Sequence, residues 1–558
     1  MKQIDIIRTY AQKRCLVIDP EPELRAHVKR LLTDFGVNET DTAGNAEEAI
    51  DLCQKRQYDM LISEYNLGPG KNGQQLLEEL RQQNLLKLSA LFIVLTAEAA
   101  SHDILHALEN SPDDLVQKPF NKASLRARLD QAVLKNEYLA EVQSALDDKR
   151  IDKAIERASQ LVQKPHRFRN DARRLLAELY LNTHRADEAE AVYSAIAAEA
   201  KPLWLTLGQA RVHMLRKEYE LAEAQLQAII HEQPYCVSAI DLLATVYELT
   251  HRPDLSQQSL LNAIKLSPRA PTRQRDLGRL SLSLDDDVTA VHAYRSAIRY
   301  AKNSCYEAAD DLINLADGLV KMSVKESGGG AKKLLDEALN NLHLADKRYG
   351  KHPIVAIRNR LSEASLEAQR DNESRAKQLV QDALDLFKQM PMRTIANTSP
   401  QLCIDCAKAF MNHACYDEGE AILQELMRIN RDEGFSIKID KLLREPQTKE
   451  GIAFAARSNK AGIEHYERGH IVEAARAFKM VLRELPNHVG LNLNLIQALL
   501  TLAKTNPLAD TERALLSSCF RRVGTVPSEA PHYKRYQYLK KRYEYIIGAS
   551  SSSPIDSH

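Results

Sequence analysis

Two architectures in series are predicted along this chain: an α/β doubly wound domain with a five-stranded parallel sheet over residues 1–135, then an all-α superhelical solenoid of helical hairpins. Three observations predict them. Short apolar runs alternate five times with amphipathic helical stretches at the amino-terminal end, self-similarity at a fixed spacing follows, and 558 residues exceed what one hydrophobic core serves.

Residues 15–18, CLVI, form an apolar run ending at Asp19, and helical spacing through Leu24, Val28, Leu31 and Leu32 follows as far as Phe35 and Gly36. The alternation recurs at 41–43 with 46–53, at 60–63 with 76–80, at 91–95 with 104–108, and at 115–117 with 123–134. Five strand-helix units make a doubly wound parallel sheet. The functional crevice of such a sheet lies beyond the carboxyl ends of its strands at the topological switch point, which here collects Asp19, Glu64, Thr96 and Lys118.

The segments VIDPEPELR, DMLISEYNLGPGKNG, FIVLTA and DLVQKPF, in that order, resemble the motifs of the response-regulator receiver family over about the first quarter of the chain. In that family an acidic pair after the first strand and an aspartate after the third hold a magnesium ion, and the last aspartate takes the phosphoryl group. The resemblance puts Asp19 at the first acidic position, Pro20 at the second, Glu64 at the acceptor, Thr96 at the hydroxyl that senses the phosphoryl group and Lys118 at the lysine that pairs with it. Leu115 stands at the aromatic switch position.

Proline brings no side-chain oxygen, and glutamate is one methylene too long for in-line attack and metal coordination. A degenerate phosphoacceptor pocket is therefore expected, with the Mg²⁺ site lost, no cofactor and no catalytic residue. Two roles for Glu64 stay open: imitation of the phosphorylated state against Lys118 and Thr96, or neutralisation of Lys118 in a fold kept as a docking platform. By resemblance, a histidine kinase or other signalling protein would dock on the first helix and adjoining loops.

Beyond residue 135, Leu243, Ala244, Tyr247, Ser256, Leu260, Ala263 and Pro268 follow the large, small, aromatic, small, large, small, proline order of the 34-residue tetratricopeptide repeat, or TPR. Leu277, Gly278, Ala290, Tyr294 and Ala297 repeat the pattern, and Gly462, Ala474, Phe478, Val481 and Pro486 give a third clear copy. Small residues at two positions let antiparallel helices approach, while large ones fill the gap to the next hairpin. Weaker copies sit around Ala154, Tyr180, Trp204, Ala364 and Ala407, so about eight hairpins are expected over 136–430.

A Gly-rich insertion is expected at 326–330 and a linker at 431–450. Further hairpins and a capping helix fill 451–548, and a disordered tail 549–558. The helix YKRYQYLKKRYEYI reads as a cap with its aromatic face inward rather than as a stripe for stacking RNA bases.

Lys plus Arg and Asp plus Glu are 76 each, so total charge recommends neither nucleic acid nor a membrane surface as partner. No window holds the run of apolar residues that would insert in a membrane, no secretory leader is evident, and the eight cysteines are scattered, which points to a reducing cytoplasmic setting. Cys403 and Cys406 have metal-ligand spacing, with His413 and Cys415 nearby, but lie in a repeat helix with no second such pair, so no metal is expected.

Without an enzymatic motif, the expected role is a non-enzymatic adaptor of a bacterial two-component phosphorelay that binds a peptide or helix in the TPR groove. The rivals are a phosphorylatable response regulator with TPR output, a scaffold for a pilus, flagellum or other surface assembly, and an RNA binder. Partner identity and oligomeric state are left open.

Overall fold

The computed structural model describes residues 6–97, 112–196, 202–326, 328–413, 415–430, 439, 442, 449–484, 488–504, 509–523 and 533–550. The strands are β1 (Arg14–Ile18), β2 (Glu39–Ala43), β3 (Met60–Glu64), β4 (Leu91–Thr96) and β5 (Asp114–Gln117). The helices around them are α1 (Ile6–Ala11), α2 (Pro22–Phe35), α3 (Ala46–Lys55), α4 (Gly73–Gln82) and α5 (Lys122–Asp147). All four strand pairings are parallel, in the order β2-β1-β3-β4-β5. The helix expected at 104–108 lies outside the described residues.

Local chemistry sets the helix starts. Asn45 accepts the backbone N–H of Glu48 to cap α3, and Asn72 with Gln75 and Asn121 with Ser124 form reciprocal capping boxes on α4 and α5. Gly36 ends α2 in the left-handed region, at φ 107°, where a side chain would be strained. Because β1, β3 and β4 are covered on both faces, they read as continuous apolar runs, whereas the edge strands β2 and β5 are only partly buried and mixed in sequence. Val17, Ile62 and Ile93 pack with Leu32, Phe35 and Leu129 on one face, and Leu16, Leu61, Phe92 and Val94 with Leu76, Leu77 and Ala49 on the other.

Two features depart from the sequence reading. The short helix α1 was not anticipated; Tyr10 anchors it, wholly buried against Phe35 and donating to Asp130 at 2.9 Å. The domain boundary expected at 135 falls inside α5, an unbroken helix of 26 residues that packs first on the sheet and then against Ile151–Gln163. No capping or breaking residue interrupts the run from Lys122 to Asp147, so nothing local stops the helix at the end of the α/β domain.

Two compact units divide the chain, Met1–Gly318 and Leu319–His558. In the first, Arg169–Asn182 packs with Ala186–Ser194, Leu203–Leu215 with Tyr219–Glu232, Val237–Leu249 with Pro253–Leu266, and Pro271–Ser283 with Asp287–Ala301. In the second, Pro353–Gln369 packs with Glu373–Gln389, Pro400–Asn412 with Tyr416–Ile429, Lys449–Glu467 with Ile471–Glu484, and Val489–Leu502 with Asp510–Val523.

The expected repeat residues sit in these seams. Leu243, Ala244, Tyr247, Ala263, Leu277, Ala290, Tyr294, Ala474 and Phe478 are buried. A Cβ on Gly278 would come within 2.7 Å of the Tyr294 ring, and one on Gly462 within 2.3 Å of Phe478, so each helix backbone rests directly against an aromatic ring. The Pro268 carbonyl accepts from Gln274 at 2.9 Å, while Pro486 and most of the expected linker lie outside the described residues.

The Gly-rich stretch is smaller than an insertion. Gly329 and Gly330 already belong to the helix Gly329–Tyr349, because first-turn amides have no intrahelical partner and glycine costs little there. Cys403 and Cys406 are both fully buried in Pro400–Asn412, and burial pushes the Cys406 thiol up.

Candidate functional site

β1 and β3 are neighbours, so their last residues bring two carboxylates to the same end of the sheet. Asp19, just past β1, is 3% exposed; its Oδ1 accepts from the Glu21 amide at 2.9 Å and its Oδ2 from Lys118 Nζ at 3.0 Å. Glu64 closes β3. Its Oε1 accepts from the Tyr65 amide at 2.9 Å and the Asn66 amide at 3.3 Å, and its Oε2 from Lys118 Nζ.

Lys118 thus bridges both acids from the loop after β5, where its own amide donates to the Thr96 carbonyl at 2.7 Å. Burial alone would pull the Lys118 ammonium down, but its bonds to Glu64 and Asp19 outweigh that and hold its pKa above the ordinary lysine value.

The surroundings fix the pocket. Thr96 ends β4 and is buried. Gly73 begins α4 so close to the acceptor loop that a Cβ there would meet the Glu64 carbonyl at 2.4 Å. Pro20 is exposed, and its carbonyl, with that of Asp19, accepts from Arg25 at 3.0 and 2.5 Å.

Leu115 lies apart from this cluster, half-buried on the edge strand β5, with its carbonyl receiving Arg128 at 3.1 Å. The structure therefore brings Asp19, Glu64, Lys118 and Thr96 together and leaves Leu115 to the side. Arg25 and Gly73 were missed; the only hint was the VIDPEPELR and KNG context, which gives no contact by itself.

For a magnesium ion the donor set is poor. Mg²⁺ asks for oxygens in near-octahedral order. Here Asp19 and Glu64 spend one oxygen each on backbone amides and the other on an ammonium, and Pro20 contributes only a carbonyl already taken by Arg25. These residues do not fit the ion while Lys118 holds its place.

A five-stranded parallel sheet in this order, with acids ending β1 and β3, a threonine ending β4 and a lysine after β5, defines a receiver-type domain. The family model for the response regulator receiver domain matches residues 15–130. Chemotaxis protein CheY-3 of Vibrio cholerae is 31% identical over 118 residues, which are 21% of this chain and 89% of that protein.

Through this domain the chain belongs to the response regulator receiver family, and the domain implies involvement in two-component signalling. Among solved structures, chemotaxis protein CheY4 of Vibrio cholerae is similar at 26% identity and TM-score 0.20, covering 22% of this chain and 98% of that one. The carboxyl-terminal part of a TPR repeat-containing protein from Cytophaga hutchinsonii is similar at 14% identity and TM-score 0.35, covering 47% of this chain and 99% of that one. Among the described residues, no helix is long and apolar enough to cross a membrane, and no group of acids, histidines and cysteines is placed to hold a metal ion.

Proposed function

We propose that this chain is a non-enzymatic adaptor that modulates a two-component pathway through protein binding by a pseudo-receiver and a TPR groove. The observation that supports it is the Lys118 bridge between Asp19 and Glu64. A single ammonium stands as the internal cation of the pocket, so the two carboxylates keep each other's company without a metal. Glu64 has one oxygen on amides and one on Lys118, so both oxygens are held by neighbours, and its extra methylene displaces them from the position an aspartate would use for in-line attack.

The test is to incubate the full chain with acetyl phosphate and magnesium and to measure intact mass. No added phosphoryl group is expected. Base-labile phosphate at Glu64 would return the chain to the phosphorylatable response regulators. The two roles open for Glu64 separate with Glu64→Gln, which removes the charge with little change of shape. Loss of affinity for a partner retained by the full chain supports imitation of the phosphorylated state, and unchanged affinity supports a docking platform.

A further inference from the structure

The last described helix, Tyr533–Ser550, has two faces of different chemistry. Its inner face closes the array: Tyr536 and Leu539 are buried, Tyr543 lies 4.6 Å from the Phe520 ring and shares a 2.7 Å hydrogen bond with Ser517. Arg535 donates to Asn494 at 2.5 Å and Gln497 at 2.7 Å, and Arg542 to the Leu500 carbonyl at 3.1 Å.

The outer face carries Lys534, Tyr538, Lys540 and Lys541, all exposed, and the helix Asp510–Val523 adds exposed Arg521 and Arg522. Among the described residues none of these five cations has an ion-pair partner. Elsewhere in the same unit Arg370 is matched with Asp336 and Arg428 with Glu425. The chain as a whole is neutral, so this concentration of unmatched charge is local.

We propose that this outer face is a docking surface for a carboxylate-rich helical segment of a partner protein. Three observations select that partner among polyanions. Among the described rings of this helix, Tyr536 is buried, Tyr533 and Tyr543 are half-buried, and Tyr538 alone is exposed, with the Arg542 guanidinium 5.7 Å from its ring centroid, so no row of open rings is offered to bases. Apart from Tyr538 the described outer positions are lysines and Glu544, with no apolar side chain to enter lipid. Lys534 and Lys541 are two helical turns apart, roughly 10 Å along the axis, a spacing that an acidic helix lying alongside reproduces with carboxylates at the same interval. The proposal does not depend on the state of the receiver pocket.

Full-length protein is titrated against a fluorescent oligoglutamate peptide, an oligouridylate of equal length, and vesicles of phosphatidylglycerol in phosphatidylcholine. Oligoglutamate is expected to bind most tightly, to weaken with added salt, and to lose about tenfold or more in affinity when Lys534→Glu, Lys540→Glu and Lys541→Glu are combined. The same three positions changed to Gln should give an intermediate loss with an unchanged circular dichroism spectrum. Lys377→Glu, at a lysine 81% exposed in the same unit, should change little. Oligoglutamate binding indifferent to the triple reversal, or tighter binding of oligouridylate or vesicles than of oligoglutamate, would overturn the proposal.

Discussion

At the scale of single residues, Lys118 is the group on which the pocket turns. Its pKa is raised in the folded chain, so the stability it contributes is whole below the ordinary lysine value of 10.5 and fades as pH climbs through the higher folded value. Lys118→Met is therefore expected to lower stability at neutral pH, because it leaves Asp19 and Glu64 without the ammonium that bridges them. The gap to the parent should close above pH 10.5, which urea melts across that range would read.

Gly278 offers a second residue-scale check. An added methyl would gain up to about 1 kcal/mol of helix propensity but must displace Tyr294, a fully buried ring. Gly278→Ala should on balance destabilise by roughly 1–2 kcal/mol in chemical denaturation.

At the scale of elements, α5 joins the receiver to the first hairpin without a loop, and side chains fasten the two along its length. Asp147 accepts from the Leu88 amide at 2.7 Å and the Ser89 hydroxyl at 2.7 Å, Asn136 donates to the Ser89 carbonyl at 3.0 Å, and Lys13 pairs with Glu137 at 2.9 Å. The turn before β4 is thus tied to the repeat half of the helix. Asp147→Ala should cost about 1–2 kcal/mol, with faster amide exchange at Leu88 and Ser89.

Ion pairs between successive repeats differ in weight according to burial. Asp311 is 1% exposed and takes both ends of the Arg275 guanidinium, at 2.6 and 2.7 Å, so Asp311→Ala strands a half-buried cation and should cost about 2–3 kcal/mol. Arg216 with Asp187, which is 88% exposed, is open to water and salt; Arg216→Ala should leave the melting curve where it is.

On the scale of the whole molecule, a terminal hairpin needs a cover for its outer apolar face. In the first unit the receiver supplies one through α5, where Val142 is buried with Ala154, Ile155 and Ala158, and Tyr138 and Leu139 with Phe168 and Ala172. In the second the helix Tyr533–Ser550 covers Phe520 and its neighbours. A chain cut at 135 would divide α5 and uncover one core, and deletion of 533–558 would uncover the other. The second deletion is expected to accelerate hydrogen exchange in Val489–Leu502 while leaving β1 and β3 protected, a pattern readable by mass spectrometry.

The centre of the receiver sheet was legible in the sequence because β1, β3 and β4, buried on both faces, write themselves as nearly unbroken apolar runs, and the repeats because a helix seated on a ring demands glycine or alanine at a fixed interval. These are local rules. Which end of the sheet gathers Asp19, Glu64 and Lys118 also followed from strand order. That Lys118 grips both acids at once, that Arg25 holds the Pro20 carbonyl, and that α5 runs through the expected boundary were settled by packing, since each depends on side chains or surfaces from segments up to a hundred residues apart. A chain can announce its elements one at a time, but a bridge between three of them exists only once they are folded together.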